Sequence, residues 1–344
     1  MVVVMSAHAS PAEVGAVVAV VEEAGGSAFV SRGVTRTIIG LVGDVEQFQS
    51  LSLGAFPGVA EVLRISKPYK LVSREHHPET SVIRVGGVPI GPTTFTLIAG
   101  PCAVETAEQT LEAALMAQAA GAHLLRGGAY KPRTSPYAFQ GLGEAGLRIL
   151  ADVRERTGLP VVTEVVDAVD VPVVVEYADM LQIGTRNMQN FPLLQAVGAT
   201  DMPVLLKRGL TATYEEWLMA AEYVAQCGNL NIVLCERGVR TFETATRNTL
   251  DLSAVPLVHS LSHLPIIVDP SHAAGLRHLV VPLARAAMAV GADGVMVDVH
   301  PHPDSALCDG PQALMNDDLA ELAEAVRTIP PLQGRVPAEA VAVP

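Results

Sequence analysis

Short apolar runs broken by turn residues fill the start of the chain, at 2–6, 12–24, 28–31, 36–42, 45–53 and 59–65. Judged by length and β-branching, they alternate strand, helix, strand, strand, helix, strand, with Gly25-Gly26 and Gly43-Asp44 as breaks. This βαββαβ order predicts a small ferredoxin-like unit over residues 1–66, with two helices on one sheet face. The polar stretch 66–78, containing Lys67-Pro68, Arg74 and His76-His77, predicts a linker. Residues 81–90 alternate around Gly86-Gly87, a hairpin signal. Residues 67–93 therefore read as a connection that ends in a hairpin covering one end of the larger unit beyond it.

From Thr94 the pattern changes to short β-branched runs separated by helical stretches. Eight strands are predicted, at 95–99, 123–126, 160–164, 180–183, 204–207, 232–235, 265–268 and 294–299. The clearest helices are at 106–120, 142–156, 214–226, 276–289 and 311–327. Eight βα repeats predict a closed (β/α)8 barrel, a TIM barrel, over residues 94–332, with 333–344 as a tail. The fold class is α/β.

Composition narrows the function. A net charge of -13 argues against a nucleic-acid partner, since such proteins gather Lys and Arg on one face. The four cysteines follow neither disulfide nor zinc-finger spacing, and neither a signal peptide nor an apolar span of membrane length is seen, so a cytoplasmic protein with no membrane partner is expected.

In a barrel of this kind the chemistry sits at the C-terminal ends of the strands. There the sequence places Cys102, Arg126 with Lys131 and Arg133, Glu164, Arg186, Lys207-Arg208, Glu236-Arg237, Asp269 with His272, and Asp298 with Asp309. The N-terminal ends carry no such concentration. Cys102, His272, Asp298 and Asp309 offer a thiolate, an imidazole and two carboxylates, a donor set suited to a divalent Zn, Mn, Fe or Co ion. Barrel closure sets the first and eighth strands side by side and so brings these donors together. The cations Arg126, Lys131, Arg133, Arg186, Lys207 and Arg237 need anionic partners: a substrate with phosphate or carboxylate groups, or structural pairing to Glu164 and Glu236.

Several strings are specific: Ala99-Gly100-Pro101-Cys102-Ala103-Val104-Glu105, Arg126 through Ser135 (RGGAYKPRTS), Gly184 through Phe191 (GTRNMQNF), Cys235-Glu236-Arg237-Gly238, and Asp269-Pro270-Ser271-His272. Together they resemble the type Iβ 3-deoxy-D-arabino-heptulosonate 7-phosphate (DAHP) synthases over essentially the whole chain. The resemblance implies a metal-dependent, aldol-like condensation of phosphoenolpyruvate with erythrose 4-phosphate that releases phosphate, the first step of the shikimate pathway. It implies that Arg126, Lys131, Gln182, Arg186, Lys207 and Arg237 hold phosphoenolpyruvate. Pro132, Arg133, Thr134 and Ser135 would receive the aldose, and Lys131, Glu164 and Glu236 would be catalytic. Lys131 is expected to donate the proton to the new hydroxyl, with its pKa lowered by burial among arginines.

The related octulosonate synthases, which use arabinose 5-phosphate, carry an Asn-Arg-Ser type sequence after the lysine, so Pro132-Arg133-Thr134 favours the four-carbon aldose. A catalytically silent regulatory barrel is the other alternative. The resemblance further implies that the N-terminal unit binds an aromatic amino acid effector, and a homotetramer is expected. Ser31 matches an effector contact, whereas Phe29 replaces the histidine of tyrosine-inhibited members.

Where the family carries glutamate, this chain has Asp298, shorter by one methylene. Cys308 stands beside Asp309. An inactivating Cys102–Cys308 disulfide is expected in the metal-free protein if the two residues approach closely enough.

Overall fold

The computed structural model describes residues 1–33, 36–43, 45–63 and 67–338. Asp44, residues 64–66 and the tail residues 339–344, on which parts of the expected break, strand, linker and tail fall, lie outside the described residues.

The N-terminal unit runs β1 (Val2–Met5), helix Pro11–Glu23, β2 (Ser27–Arg32), β3 (Thr37–Val42), helix Val45–Ser50 and β4 (Val59–Leu63). Its antiparallel sheet has the order β2-β3-β1-β4, the ferredoxin-like arrangement. The first helix starts at a capping box, in which Ser10 Oγ accepts from the Glu13 amide and Glu13 Oε2 accepts from the Ser10 amide. Val14, Val17 and Val21 on that helix pack with Val3, Met5, Ile39, Leu41 and Phe48 to form the unit's core.

Next in the chain is a hairpin, β5 (Ile83–Val85) with β6 (Val88–Ile90), turned by Gly86 and Gly87. Both glycines have positive φ, as a two-residue hairpin turn requires. Then come β7 (Thr94–Gly100), β8 (Leu124–Arg126), β9 (Val161–Val165), β10 (Met180–Ile183), β11 (Val204–Lys207), β12 (Ile232–Glu236), β13 (Ile266–Val268) and β14 (Gly294–Asp298). All pair in parallel with their sequence neighbours, and β14 pairs with β7 from Gly294↔Thr96 to Asp298↔Gly100, which closes the barrel. A last strand, β15 (Val336–Pro337), adds to β7 at Thr94 and Phe95, so the start of the expected tail is part of the sheet.

Strand period places the site. Side chains two apart on a strand face the same side. Ile98, Leu124, Val162, Met180, Leu205, Val233, Ile267 and Met296 form one apolar cluster with Ile83, Val85, Val88 and Ile90 of the hairpin, which plugs the barrel from below. Two residues further along those same eight strands stand Gly100, Arg126, Glu164, Gln182, Lys207, Cys235, Asp269 and Asp298. The interior thus changes from apolar to mainly charged and polar within one pleat.

Two helix starts differ from expectation. The helix expected from 142 begins at Glu144, because Gly143 takes a left-handed backbone that ends the preceding loop. The helix expected at 311–327 is Asn316–Thr328. The segment before it instead returns alongside β14, with the Leu314 amide donating to the Asp298 carbonyl. The short helices Val171–Tyr177, Phe191–Gly198, Ala254–Leu261 and Pro270–Ala274 span about two turns or fewer, too little for a clear periodicity.

Candidate active site at the barrel mouth

The loop after β7 carries Cys102, buried at the rim. Its Sγ lies 3.7 Å from His272 Nε2, 3.2 Å from Asp309 Oδ2 and 3.6 Å from Cys308 Sγ. His272 Nε2 is 3.6 Å from Asp298 Oδ2 and 3.8 Å from Asp309 Oδ2. The four residues expected to ligate a metal therefore converge, and Cys308 joins them.

Asp269 sets the imidazole. Its Oδ1 accepts from the His272 amide at 2.9 Å and its Oδ2 lies 2.8 Å from His272 Nδ1, which turns Nε2 toward Cys102. Burial works against charging His272, yet the Asp269 and Asp298 carboxylates outweigh it and raise its pKa to about 9. Arg247 donates to Asp309 Oδ1 at 2.8 Å. Against its burial, the charges of His272 and Arg247 hold the Asp309 carboxyl well below the usual range.

Asp298 Oδ1 is fully buried and accepts no hydrogen bond, although Arg126 Nη1 stands 3.1 Å away. An orphaned anionic oxygen within a thiol, imidazole and carboxylate cluster fits a bound cation, so the residues present suit a divalent metal.

Beside this cluster opens a cavity of about 450 Å³. Arg126, Lys131, Arg133, Arg186, Lys207, Arg237, Arg240 and Arg247 line it, as do Pro132, Thr134, Ser135, Glu164, Gln182, His272, Cys308 and Asp309. Among the expected site residues, Cys102, Asp298 and Glu236 lie outside this lining.

Lys131 is held by its surroundings: Nζ donates to the Cys102 carbonyl at 2.9 Å and to Cys102 Sγ at 3.1 Å. Gly128 permits this, since a Cβ there would meet the Cys102 carbonyl oxygen at 2.6 Å and Lys131 Cδ at 2.8 Å. Arg186 donates to Thr134 Oγ1 at 3.3 Å, joining two loops of the rim, and Gln182 donates to Glu164 Oε2 at 3.3 Å. Arg237 Nη1, Arg133 Nη1 and Arg126 Nε are buried without acceptors. Burial lowers the Arg237 pKa, the mark of a cation short of counter-charge.

Two expectations are corrected. The Lys131 pKa is raised, not lowered: burial and Arg126 oppose the ammonium, but Cys102, Cys308 and Glu164 together outweigh them. Glu236, expected to face the chemistry, is fully buried, with Oε2 accepting from Arg208 at 2.9 Å and Oε1 from the Gly238 amide at 2.6 Å. Its carboxylate is already committed to holding Arg208 and the loop after β12.

Sequence reasoning missed Arg240, Arg247 and Asn248, which reach the cavity from that long irregular loop. Three polar residues so close together after a strand end were the available signal.

A closed parallel barrel with a strongly cationic cavity next to a thiol, imidazole and carboxylate cluster defines a barrel enzyme built for a metal ion and a multiply anionic substrate. The chain belongs to the DAHP synthetase I family, whose model matches residues 76–331, while that of the DAHP synthase ferredoxin-like domain matches residues 1–67. It is 51% identical to the phospho-2-dehydro-3-deoxyheptonate aldolase of Thermotoga maritima, over 96% of this chain and 97% of the relative. The crystal structure of a Thermotoga maritima phospho-2-dehydro-3-deoxyheptonate aldolase (DAHP synthase) superimposes with a TM-score of 0.77 at 50% identity, covering 97% of this chain and 98% of that one. A 2-dehydro-3-deoxyphosphooctonate aldolase of Geobacter sp. (strain M21) is 34% identical over 73% of this chain and 97% of its own length. Among the described residues no helix is long and apolar enough to cross a membrane.

Proposed function

We propose that the barrel mouth carries out the 3-deoxy-7-phosphoheptulonate synthase reaction, condensing phosphoenolpyruvate with erythrose 4-phosphate and releasing phosphate. The observation that carries this reading is the cationic cavity, with its buried, unpartnered guanidinium nitrogens, set directly against the Cys102 cluster.

Arg126, Lys131, Gln182, Arg186, Lys207 and Arg237 hold the phosphate and carboxylate of phosphoenolpyruvate, because guanidinium forks match both groups. Pro132, Arg133, Thr134 and Ser135 receive the aldose. A divalent ion held by Cys102, His272, Asp298 and Asp309 would polarise the aldehyde oxygen as a Lewis acid. The donor set suits Zn, Mn, Fe or Co. C3 of phosphoenolpyruvate bonds to C1 of the aldose, and Lys131 Nζ gives a proton to the aldehyde oxygen as it becomes a hydroxyl. The raised pKa keeps Lys131 protonated for this step. Water adds at C2 and loses its proton toward Glu164, which lines the cavity as Glu236 does not. The C2–O bond to phosphate then breaks as the C2 hydroxyl passes its proton to the departing phosphate, which leaves a ketone at C2.

We divide the chain into residues 1–66, 67–93, 94–332 and 333–344, the last of which adds β15 to the barrel sheet. The first unit is assigned to an aromatic amino acid effector: Phe29 and Ser31, two apart on β2, share one half-exposed face. A homotetramer in the cytoplasm completes the proposal, since the close, unpaired Cys102 and Cys308 thiols suit a reducing compartment.

Phosphate release measured with phosphoenolpyruvate and either erythrose 4-phosphate or arabinose 5-phosphate, with and without chelator, tests the reaction. Release should need erythrose 4-phosphate and a metal. Equal release with arabinose 5-phosphate, or no effect of chelation, would defeat it.

A further inference from the structure

Cys308 and Asp309 are consecutive, yet both side chains reach the same atom: Cys308 Sγ lies 3.6 Å and Asp309 Oδ2 3.2 Å from Cys102 Sγ. Neighbouring residues usually diverge. Here Asp309 takes a left-handed backbone, φ +54°, one of two non-glycine residues with positive φ among the described residues. Aspartate adopts this conformation more readily than most residues, and here it lets two consecutive side chains converge.

Asp298, by contrast, is already occupied. Its Oδ2 accepts from Gln312 Nε2 and its Oδ1 stands 3.1 Å from Arg126 Nη1, so much of its charge is met before any ion arrives. Two triads of donors share Cys102: one with His272 and Asp298, the other with Cys308 and Asp309. Cys308 Sγ to Asp309 Oδ2 is 3.5 Å. Two sulfurs about 2.3 Å from a zinc-like ion, and an oxygen about 2.1 Å from it, would be separated by roughly 3.6–3.8 Å in a tetrahedral arrangement. The 3.6 Å and 3.5 Å separations are close to those of co-ligands, and the 3.2 Å between Cys102 Sγ and Asp309 Oδ2 would open by a few tenths of an ångström around an ion. The inward-turned His272 Nε2, 3.7 Å from Cys102 Sγ, independently points to a cation at this place.

We propose that Cys308 is itself a ligand, giving this chain's metal centre a second thiolate beside Cys102 and reducing its reliance on Asp298. The inference rests on the metal centre proposed above. A second soft donor shifts the site toward zinc-like, thiophilic ions and away from manganese.

X-ray absorption of the intact, zinc-loaded chain should find two sulfurs per metal, at about 2.3 Å. In the cobalt-loaded protein, the near-ultraviolet sulfur-to-metal absorption should fall by about half in Cys308→Ser, as one of two thiolates is lost. The same change should weaken zinc relative to manganese about tenfold or more. One sulfur per metal in the unaltered protein overturns the second thiolate and leaves the metal centre standing. An unaltered protein that binds no metal overturns both.

Discussion

The two ends of the barrel interior are built from the same eight strands but have opposite chemistry. Below, Leu124, Val162, Met180, Leu205 and Ile267 pack on the hairpin in a dry plug. One pleat above, Arg126, Glu164, Gln182, Lys207 and Asp269 surround a polar cavity and its margin. The plug contributes stability through burial. The mouth costs stability, because it holds buried charges and unpartnered guanidinium nitrogens. The difference teaches that residues two apart on one strand serve separate ends: changes in the plug should act on folding, and changes in the mouth on chemistry.

The sharpest way to break this division is to cross-link the mouth. With metal removed by chelator, a thiol oxidant such as diamide should join Cys102 and Cys308, whose sulfurs are 3.6 Å apart. Two titratable thiols should be lost and should return with reductant, and metal added back should restore activity only after that reduction. The chain has four cysteines, so all four thiols persisting under oxidant exclude the cross-link.

A paired substitution comes next. Lys131→Met should lower kcat by about 10²–10⁴-fold, the usual range for general acid catalysis, with metal binding and unfolding midpoint retained. Leu205→Ala should instead cost about 2–5 kcal/mol in denaturant unfolding, with kcat nearly unchanged. Retained activity in the first variant, or unaltered stability in the second, would erase the contrast.

The smallest effect concerns the strap that ties the plug to the barrel wall. His263 bridges the Ser81 hydroxyl and the Leu71 carbonyl, and His76 is buried with neither ring nitrogen partnered. Burial lowers their pKa values, to about 3 for His263 and about 4 for His76, the latter aided by the charge of His77. In the unfolded chain each takes a proton near pH 6.5, which the folded protein refuses until pH 4 or below. Their contribution is therefore complete above pH 6.5 and is lost as pH falls from there toward 4. Each should add about 1.4 kcal/mol per pH unit to the slope in that window. His76→Leu should flatten the slope of unfolding free energy by that amount, and an unchanged slope would show that His76 titrates normally.

Much of this was legible in the chain itself. The βαββαβ run, the eight strands and the polar residue at each strand end follow from local periodicity, and the strings around Cys102, Arg126 and Asp269 pointed to the chemistry. Glu236 shows the limit, since nothing local distinguishes it from Glu164. Only the packing of Arg208 against it removes it from the cavity. Lys131 shows another: its arginine neighbours were legible, but not the two thiols that reverse its shift.

By itself, then, the sequence determined which side chains face inward and at which end of each strand they stand, because a strand's period of two is a property of neighbouring residues. Tertiary structure alone decided which groups touch. Cys102 and Cys308 are 206 positions apart in the chain and meet only because β14 closes on β7. Interactions that depend on a few tenths of an ångström between distant loops, such as coordination and pKa shifts, are fixed by that closure.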